Sequence, residues 1–485
     1  MEGKNEQRED GGSTGGRGDG IVRSGDVYEL TIDSLAFGGE GVARLQSAGK
    51  PLVVFVEDVV PGDKVEVKIG TKKRNFARGF VEKIIEPSRE RIAARCKHFG
   101  GQTGCGGCVW QFLDVGKQRS YKEQQVRDSL KRIGGVKEDV VLPILGGEPW
   151  FYRNKMEFSF ERTVDGKLGL GLHVKRRHYD VVELTECFLA EPFAGELVRF
   201  VREFFLDFEK RKGFDPELVL KTFTVRAGKN TGEIMMILCA ENGKENFVEE
   251  FGGALQEYCV GRKIPLDSFY FLHVSNHKGQ RNSTVSRLVF GKPVIQETLQ
   301  IPGGQVLRFD ISPQAFFQPN TEMAQVLYAK ALEAAGLTGA ETVFDLYCGT
   351  GTIGLFCASK AAKVYGVELN PSSVANAKAN ADLNGITNAE FLCGDVQAVL
   401  ESVKAEPEVV LVDPPRNGLA PKVVDMVAAF GPRRLVYVSC NPTSLARDAA
   451  LFAEKGYQLL SVQPVDQFPQ TYHIECVALF QKEPR

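Results

Sequence analysis

The sequence predicts an α/β protein with a Rossmann-like doubly wound domain at its C-terminal end, an N-terminal OB-like β-barrel and a mixed α+β domain between them. Three observations carry this. From Asn320 onward, short apolar runs alternate strictly with helical segments, the rhythm of a parallel sheet covered on both faces. Between Asp26 and Pro87, apolar and polar residues alternate with period two and are interrupted at Gly38-Gly39 and Pro61-Gly62, as in a small closed barrel. In the stretch between, strand patterns and amphipathic helices mix, and no topology can be read from them.

The 485 residues suit two or three domains, and 43% hydrophobic with 25% charged residues is the balance of an ordinary globular protein. No apolar run reaches the roughly 18 residues that span a bilayer, so no membrane partner is expected. The first twenty residues lack an apolar core, so no secretory signal is read and a cytoplasmic location is expected. Eleven cysteines without an export signal read as cytosolic thiols, some of them ligands or catalysts.

Residues 1–22 are Gly, Ser and charge, and read as a disordered tail. The barrel is expected over 23–88, with segments such as PLVVFVEDVV and ARGFVEKII. The formal net charge of −2 hides a local excess of Lys and Arg that runs from Lys64 through Lys72, Lys73, Arg74 and Arg78 to Arg95. With Phe76 and Phe80 interleaved, this suits phosphates and stacked bases. The central domain is expected over 89–319, with strands such as FYRNKMEFSF, LGLGLH, GEIMMILCA and STVSRLVFG, the helix ELVRFVREFFLDF and a basic turn at Lys175, Arg176 and Arg177. The last domain, 320–485, has parallel strands TVFDLYC, KVYGVEL, AEFLCGD, EVVLVDPP and RLVYVSC. YQLLSVQPVDQFP and HIECVALFQK then predict an antiparallel edge hairpin closed by a tight turn.

Chemistry concentrates at the ends of those strands. Asp345-Leu-Tyr347-Cys348-Gly349-Thr-Gly351 is a glycine turn that lets backbone approach a ligand closely. It lacks both the three-glycine dinucleotide spacing and the Gly-Lys-Ser/Thr of a phosphate loop. The next strand ends in Glu368, suited to ribose hydroxyls, and the third in Asp395, suited to an adenine amino group. Together these acids fit an adenosine with a free ribose. The fourth strand ends in Asp413-Pro414-Pro415-Arg416, a rigid loop without the aromatic that amino-directed base methylation favours.

The fifth strand ends in Ser439-Cys440-Asn441-Pro442. Carbon 5 of uracil is a poor nucleophile until a thiolate adds to carbon 6, and Cys440 is the candidate for that addition. A helix N-terminus beside it predicts a thiol pKa below the usual value of about 8.5. Cys348, Cys357 and Cys393 read as packing residues. In His473-Ile474-Glu475, Glu475 is the candidate base that removes the carbon-5 proton before the sulfur leaves, and Cys476 is expected to face the other side of the strand. Cys96-x8-Cys105-x2-Cys108, with Cys187 far downstream, suits either a tetrahedral zinc or a four-iron cluster.

Taken together, these residues resemble the uridine-5 methyltransferases of ribosomal and transfer RNA, over nearly the whole chain after the tail. Residues 26–87 look like that family's TRAM module, an oligonucleotide-binding barrel. The resemblance implies S-adenosylmethionine as methyl donor and a [4Fe-4S] cluster on Cys96, Cys105, Cys108 and Cys187, which favours iron–sulfur over zinc. The gap after Cys96 is eight residues where the family commonly has five, and the residues around Gly101 to Thr103 read as a loop extension. It also implies a donor site of Gln318, Tyr347, Glu368 and Asp413, with Asp395 from the strand-end reading, a nucleophile at Cys440 and a proton acceptor at Glu475. Gln318 rests on the resemblance alone. The expected partner is RNA, with 23S ribosomal RNA favoured and transfer RNA the alternative, bound by a monomer. The rivals are an RNA cytosine-5 methyltransferase, which uses the same adduct, and a non-catalytic RNA-binding factor. A radical enzyme would need three clustered cysteines with an open iron position, which the four apparent ligands do not suggest.

Overall fold

A computed structural model describes residues 22–46, 51–101, 103–177, 179–213, 219–241, 245, 247–275 and 283–483. The tail expected over 1–22 lies outside them except for Val22, which is buried in an apolar core. The chain divides into two compact units, Met1–Ala93 with Phe112–Lys117, and Ala94–Gln111 with Gln118–Arg485. None of the helices among the described residues is long and apolar enough to cross a membrane.

The first unit is built on one sheet of β1 (Val27–Thr31), β2 (Ser34–Leu35), β3 (Gly41–Leu45), β4 (Leu52–Val56), β5 (Lys64–Lys72) and β6 (Phe76–Glu86), in the order β1-β5-β6-β4-β3-β2. Alternate residues such as Val54, Val56, Val65, Val67 and Ile69 fill its core, as period-two patterning requires. Gly41 is fixed by close approach, since a Cβ there would lie 2.2 Å from the Val59 side chain. Among the described residues no strand pairing joins β2 to β1, so the sheet is not closed into the expected barrel by hydrogen bonds. The basic face is also narrower than its sequence. Lys64 pairs with Glu29 at 2.7 Å, Lys68 with Glu82 at 3.4 Å and Arg78 with Glu40 at 2.9 Å, leaving exposed Lys72, Lys73 and Arg74 at the β5–β6 turn.

In the second unit, helix α1 (Val115–Arg132), which belongs to it from Gln118 onward, and the short β7 (Leu145–Gly146) precede a seven-stranded sheet. Its strands are β8 (Lys155–Thr163), β9 (Leu168–His173), β10 (Asp180–Glu183), β11 (Leu220–Ala227), β12 (Ile234–Glu241), β13 (Ser268–Ser275) and β14 (Ser283–Gly291), in the order β10-β9-β8-β11-β12-β13-β14. Helices α2 (Ala194–Lys212) and α3 (Val248–Arg262) share a phenylalanine-rich core with one face through Phe205, Phe251 and Phe269. Met235, Ile237 and Tyr270, on the alternate positions, join a different core.

That other core belongs to the doubly wound sheet and to the hairpin β15 (Ile295–Gln300) and β16 (Val306–Ile311). The sheet comprises β17 (Thr342–Leu346), β18 (Lys363–Glu368), β19 (Ala389–Cys393), β20 (Val409–Val412), β21 (Arg434–Ser439), β22 (Tyr457–Asp466) and β23 (Glu475–Lys482), with order β19-β18-β17-β20-β21-β23-β22-β7. The first five are parallel, and β23 lies antiparallel to both β21 and β22. The order reverses beside β17, which puts a ligand crevice at the carboxyl ends of β17 and β20. Between the strands lie α4 (Thr321–Ala335), α5 (Thr352–Ala358), α6 (Pro371–Leu383), α7 (Val396–Ser402), α8 (Pro421–Phe430) and α9 (Pro442–Glu454). Helices α6 and α9 start on the same device, an asparagine cap (Asn370, Asn441) followed by proline, which breaks the chain sharply away from the strand end.

Two expectations about the last hairpin change. It is not at the edge, because β7 adds parallel to β22 outside it. Nor is its turn tight: Gln467–Ile474 forms a long connection, and β23 begins at Glu475, leaving His473 and Ile474 in the turn. The turn is tied down where it starts, because the fully buried Lys122 of α1 donates to Asp466 at 2.6 Å and to the Phe468 carbonyl at 3.0 Å.

Candidate active site

The crevice is a cavity of about 590 Å³. It brings together Gln318, Tyr347, Asp413, Cys440 and Glu475, five of the seven catalytic and donor-site residues expected from sequence. Glu368 and Asp395 stand outside its lining, at the ends of the next two strands.

Each wall follows from local structure. The glycine turn after β17 takes up left-handed backbone at Tyr347 (φ 64°), Gly349 (φ 54°) and Gly351 (φ 79°). At Gly351 a Cβ would come 2.7 Å from the Phe391 ring, so only glycine fits. Glu368 accepts from the amides of Gly349 at 3.2 Å and Asn370 at 2.8 Å, linking the ends of β17 and β18. Asp395 caps α7, with Oδ1 accepting from Gln397 at 3.0 Å and Ala398 at 3.4 Å. Gln318 lies in a loop held by Asn154, whose side-chain amide donates to the Gln318 carbonyl at 2.8 Å and to Thr321 Oγ1 at 2.9 Å. Register pairs Ser439 of β21 with Cys476 of β23, so the next step places Cys440 and Glu475 at facing strand ends. Cys476 itself is fully buried in the core, as alternation predicts.

Burial controls the charges. It raises Asp413 to about 7, and it raises Asp345 to about 7 with help from the Asp413 charge, against an amide bond from Gly354. Glu475 is pushed well above the usual carboxylate range, first by burial and then by Asp413, with the Arg416 guanidinium opposing. The second oxygen of Asp345 is buried without a hydrogen-bond partner. A cavity lined by three desolvated carboxylates, one incompletely satisfied, suits a cationic ligand.

The same physics overturns the expected thiol. Cys440 does precede a helix N-terminus, but desolvation, then Glu475, then Asp413 push it up to about 11, against Arg416. Thiolate is therefore scarce near neutral pH in the unliganded protein. The alkylation rate of Cys440 by iodoacetamide is expected to rise about tenfold per pH unit from pH 7 to 9. A plateau below pH 8.5 would contradict this. Cys348 also lines the cavity, with its thiol pushed up further by burial, Asp345 and Glu368. Cys357 is buried as expected, whereas Cys393 is exposed on β19 rather than packed.

The structure adds residues that sequence reasoning did not assign. Arg153, Tyr328 and Phe468 line the cavity from β8's approach, α4 and the last turn. Phe316, two residues before Gln318, lines it too and is 63% exposed. His473 lies there with its imidazole lowered to about 4, chiefly by burial and then by Arg416. For His473 the signal was its place beside Glu475 in the His473-Ile474-Glu475 motif, and for Phe316 its place two residues before Gln318. For Arg153 and Tyr328 there was none, because only long-range topology brings them in.

Cys96, Cys105, Cys108 and Cys187 line a second, small apolar cavity, with Leu172 and Leu184 among its walls. Burial pushes Cys105 and Cys108 up to about 12, and Gly107 donates its amide to the Cys105 sulfur at 3.4 Å. Among the described residues no group of three or more His, Cys, Asp or Glu is placed to hold a metal ion.

Comparison with known proteins gives these features a family. Residues 279–394 and 397–483 match the tRNA (uracil-5-)-methyltransferase model, and residues 22–81 match the TRAM domain. An uncharacterized RNA methyltransferase of Caldanaerobacter subterraneus is 36% identical over 475 residues, covering 95% of this chain and 99% of its own. One of Porphyromonas gingivalis is 37% identical, covering 93% and 99%. The crystal structure of Pyrococcus abyssi tRNA (uracil-54, C5)-methyltransferase in complex with S-adenosyl-L-homocysteine superposes with a TM-score of 0.68 at 25% identity, covering 93% of this chain and all of that one. With relatives this close along almost its full length, the chain belongs to the family of S-adenosylmethionine-dependent RNA (uracil-5-)-methyltransferases.

Proposed function

We propose that this chain forms 5-methyluridine in RNA through a covalent Cys440 adduct. The observation that carries the reading is the placement of Cys440 and Glu475 in one cavity with Gln318, Tyr347 and Asp413. Glu368 would take the ribose hydroxyls, and Asp395 would take the adenine amino group on Oδ2, since both amides it caps go to Oδ1. Gln318, Tyr347 and Asp413 would hold the methionine end, with the sulfonium charge offset by the buried carboxylates.

The chemistry then balances on two residues. The Cys440 thiol releases its proton to solvent and the sulfur adds to uracil carbon 6, moving the ring's π electrons onto carbon 5 and oxygen 4. Carbon 5 attacks the donor methyl, and the carbon–sulfur bond of the sulfonium breaks to release S-adenosylhomocysteine. Glu475 accepts the carbon-5 proton, the carbon-6 to sulfur bond breaks, and the double bond and thiolate return. Arg416, which draws the pKa of both groups down, favours their ionised forms. The target uridine must leave its stack to reach the cavity, so unpaired loops are the favoured substrates.

A [4Fe-4S] cluster would sit on Cys96, Cys105, Cys108 and Cys187. What supports it is that all four thiols line one apolar cavity and that an amide already donates to one sulfur. When bound it would supply structural cross-linking, since methyl transfer moves no electron. Residues 23–88 would hold RNA as a TRAM domain, ahead of a central domain over 89–319 and a methyltransferase domain over 320–485.

Ribosomal RNA is the proposed substrate. Transfer RNA is the second reading, favoured by the substrate named for the Pyrococcus abyssi enzyme. Incubating the enzyme and methyl-labelled donor with total RNA from a strain lacking the gene decides between them. Label is expected in 5-methyluridine from the ribosomal fraction. Label in 5-methylcytidine, or none, would refute the uridine reading, and label confined to transfer RNA would move the substrate.

A further inference from the structure

The turn that delivers His473 and Glu475 to the cavity contains a residue in an unfavourable conformation. Gln470 has φ 67°, a left-handed backbone that is unfavourable for a non-glycine residue. Such a conformation persists only where surrounding contacts over-determine it. Here they do. The Gln470 amide donates to Gln118 Oε1 at 2.9 Å, while Gln118 Nε2 donates back to Gln470 Oε1 at 3.0 Å. The Gln470 carbonyl accepts from the amides of Val109 at 2.8 Å and Trp110 at 3.2 Å. Gln118 also donates to the Trp110 carbonyl at 3.1 Å, closing a ring of three segments. Both glutamines are buried, so every bond is shielded from water.

The three segments differ in kind. Gln118 belongs to α1 and Gln470 to the catalytic turn, and Val109 and Trp110 directly follow Cys108 of the cysteine-lined cavity. From Gln470 the bonding continues toward the site. Thr471 Oγ1 donates to the Phe468 carbonyl at 2.8 Å and accepts from the His473 amide at 3.2 Å, and the Phe468 and His473 rings meet edge-on at 5.7 Å. Phe468, His473 and Glu475 all line the catalytic cavity.

We infer that Gln118 and Gln470 form a latch that positions the Phe468–Glu475 turn, so that Glu475 meets the carbon-5 proton of the adduct. Neither glutamine lines the cavity, so both are positioning residues rather than catalytic ones. This rests on the proposed role of Glu475 as the proton acceptor. Releasing the latch slows the last step, elimination, more than it affects donor binding. A displacement of about 1 Å at a reacting group costs about a hundredfold in rate.

The test compares Gln118→Ala, Gln470→Gly, Glu475→Gln and the Gln118→Ala/Glu475→Gln double variant in the full-length enzyme, with total RNA from a strain lacking the gene. Turnover, S-adenosylmethionine affinity, and covalent RNA–enzyme complex on a denaturing gel are measured. Gln118→Ala is expected to lose about a hundredfold in turnover. Its donor affinity stays within about twofold and it accumulates covalent complex. Gln470→Gly, which adopts positive φ without strain, is expected to show the same split. The double variant is expected to be no slower than Glu475→Gln alone, because one residue acts through the other.

Wild-type turnover in either folded single variant overturns the latch, as do losses that multiply in the double variant. Failure of both single variants to fold overturns it as well. Complex in Glu475→Gln but none in Gln118→Ala or Gln470→Gly sinks the latch alone. Absence of complex in Glu475→Gln sinks the base assignment beneath it.

Discussion

Replacing Cys440 by alanine is expected to lower 5-methyluridine formation by about 10⁴-fold or more, the scale on which enzymes lose rate when a covalent nucleophile is removed. Cys440 is half-buried at the end of β21, opposite Glu475, and no other group in the cavity is equipped to replace it. Cys348, the other thiol in the lining, is more deeply buried and held protonated more strongly by Asp345 and Glu368. The proposed donor residues stay in place, so S-adenosylmethionine should bind Cys440→Ala about as tightly as wild type. Equal loss of donor binding and methylation would assign Cys440 to the structure of the pocket instead.

Replacing Glu475 by glutamine is expected to slow turnover by about 10²- to 10⁴-fold, the usual range for a positioned general base. The character of the loss is more diagnostic than its size. On the proposed mechanism, addition of sulfur and transfer of the methyl do not need the Glu475 carboxylate, whereas removal of the carbon-5 proton does. Glu475→Gln enzyme should therefore become trapped on its RNA with the methyl already attached. Because burial and Asp413 hold this carboxyl above its usual range, the wild-type elimination step should speed up as pH rises through that raised pKa. In Glu475→Gln that rise should vanish. A variant that turns over normally without trapped complex would leave the proton to another group in the lining, such as His473 or Asp413.

Sequence carried a large part of this site because the parallel sheet places its chemistry locally. Tyr347, Glu368, Asp395, Asp413 and Cys440 each stand at or just past a strand end, where apolar runs, glycines and Asn-Pro breaks mark the position. Contributions from outside that rhythm were not legible. Asn154, which holds the Gln318 loop, lies more than 160 residues away, and β7 reaches the far edge of the sheet from before the central domain begins its strands. The thiol pKa failed for the same reason. The helix N-terminus beside Cys440 is a local feature, but Glu475 and Asp413 arrive from other strands and outweigh it together with desolvation. The basic face of the first unit shrank because Glu29, Glu40 and Glu82, spread through the sequence, are paired across strands with its lysines and arginine.

The most direct measurement is the mass of the peptide that captures RNA containing 5-fluorouridine, whose fluorine cannot leave as the proton does. After digestion with trypsin, the wild-type enzyme and S-adenosylmethionine should yield the Leu435–Arg447 peptide carrying a methylated fluorouridine on Cys440. The same adduct on the peptide holding Cys348, or none at all from an enzyme that still makes 5-methyluridine, would contradict the account.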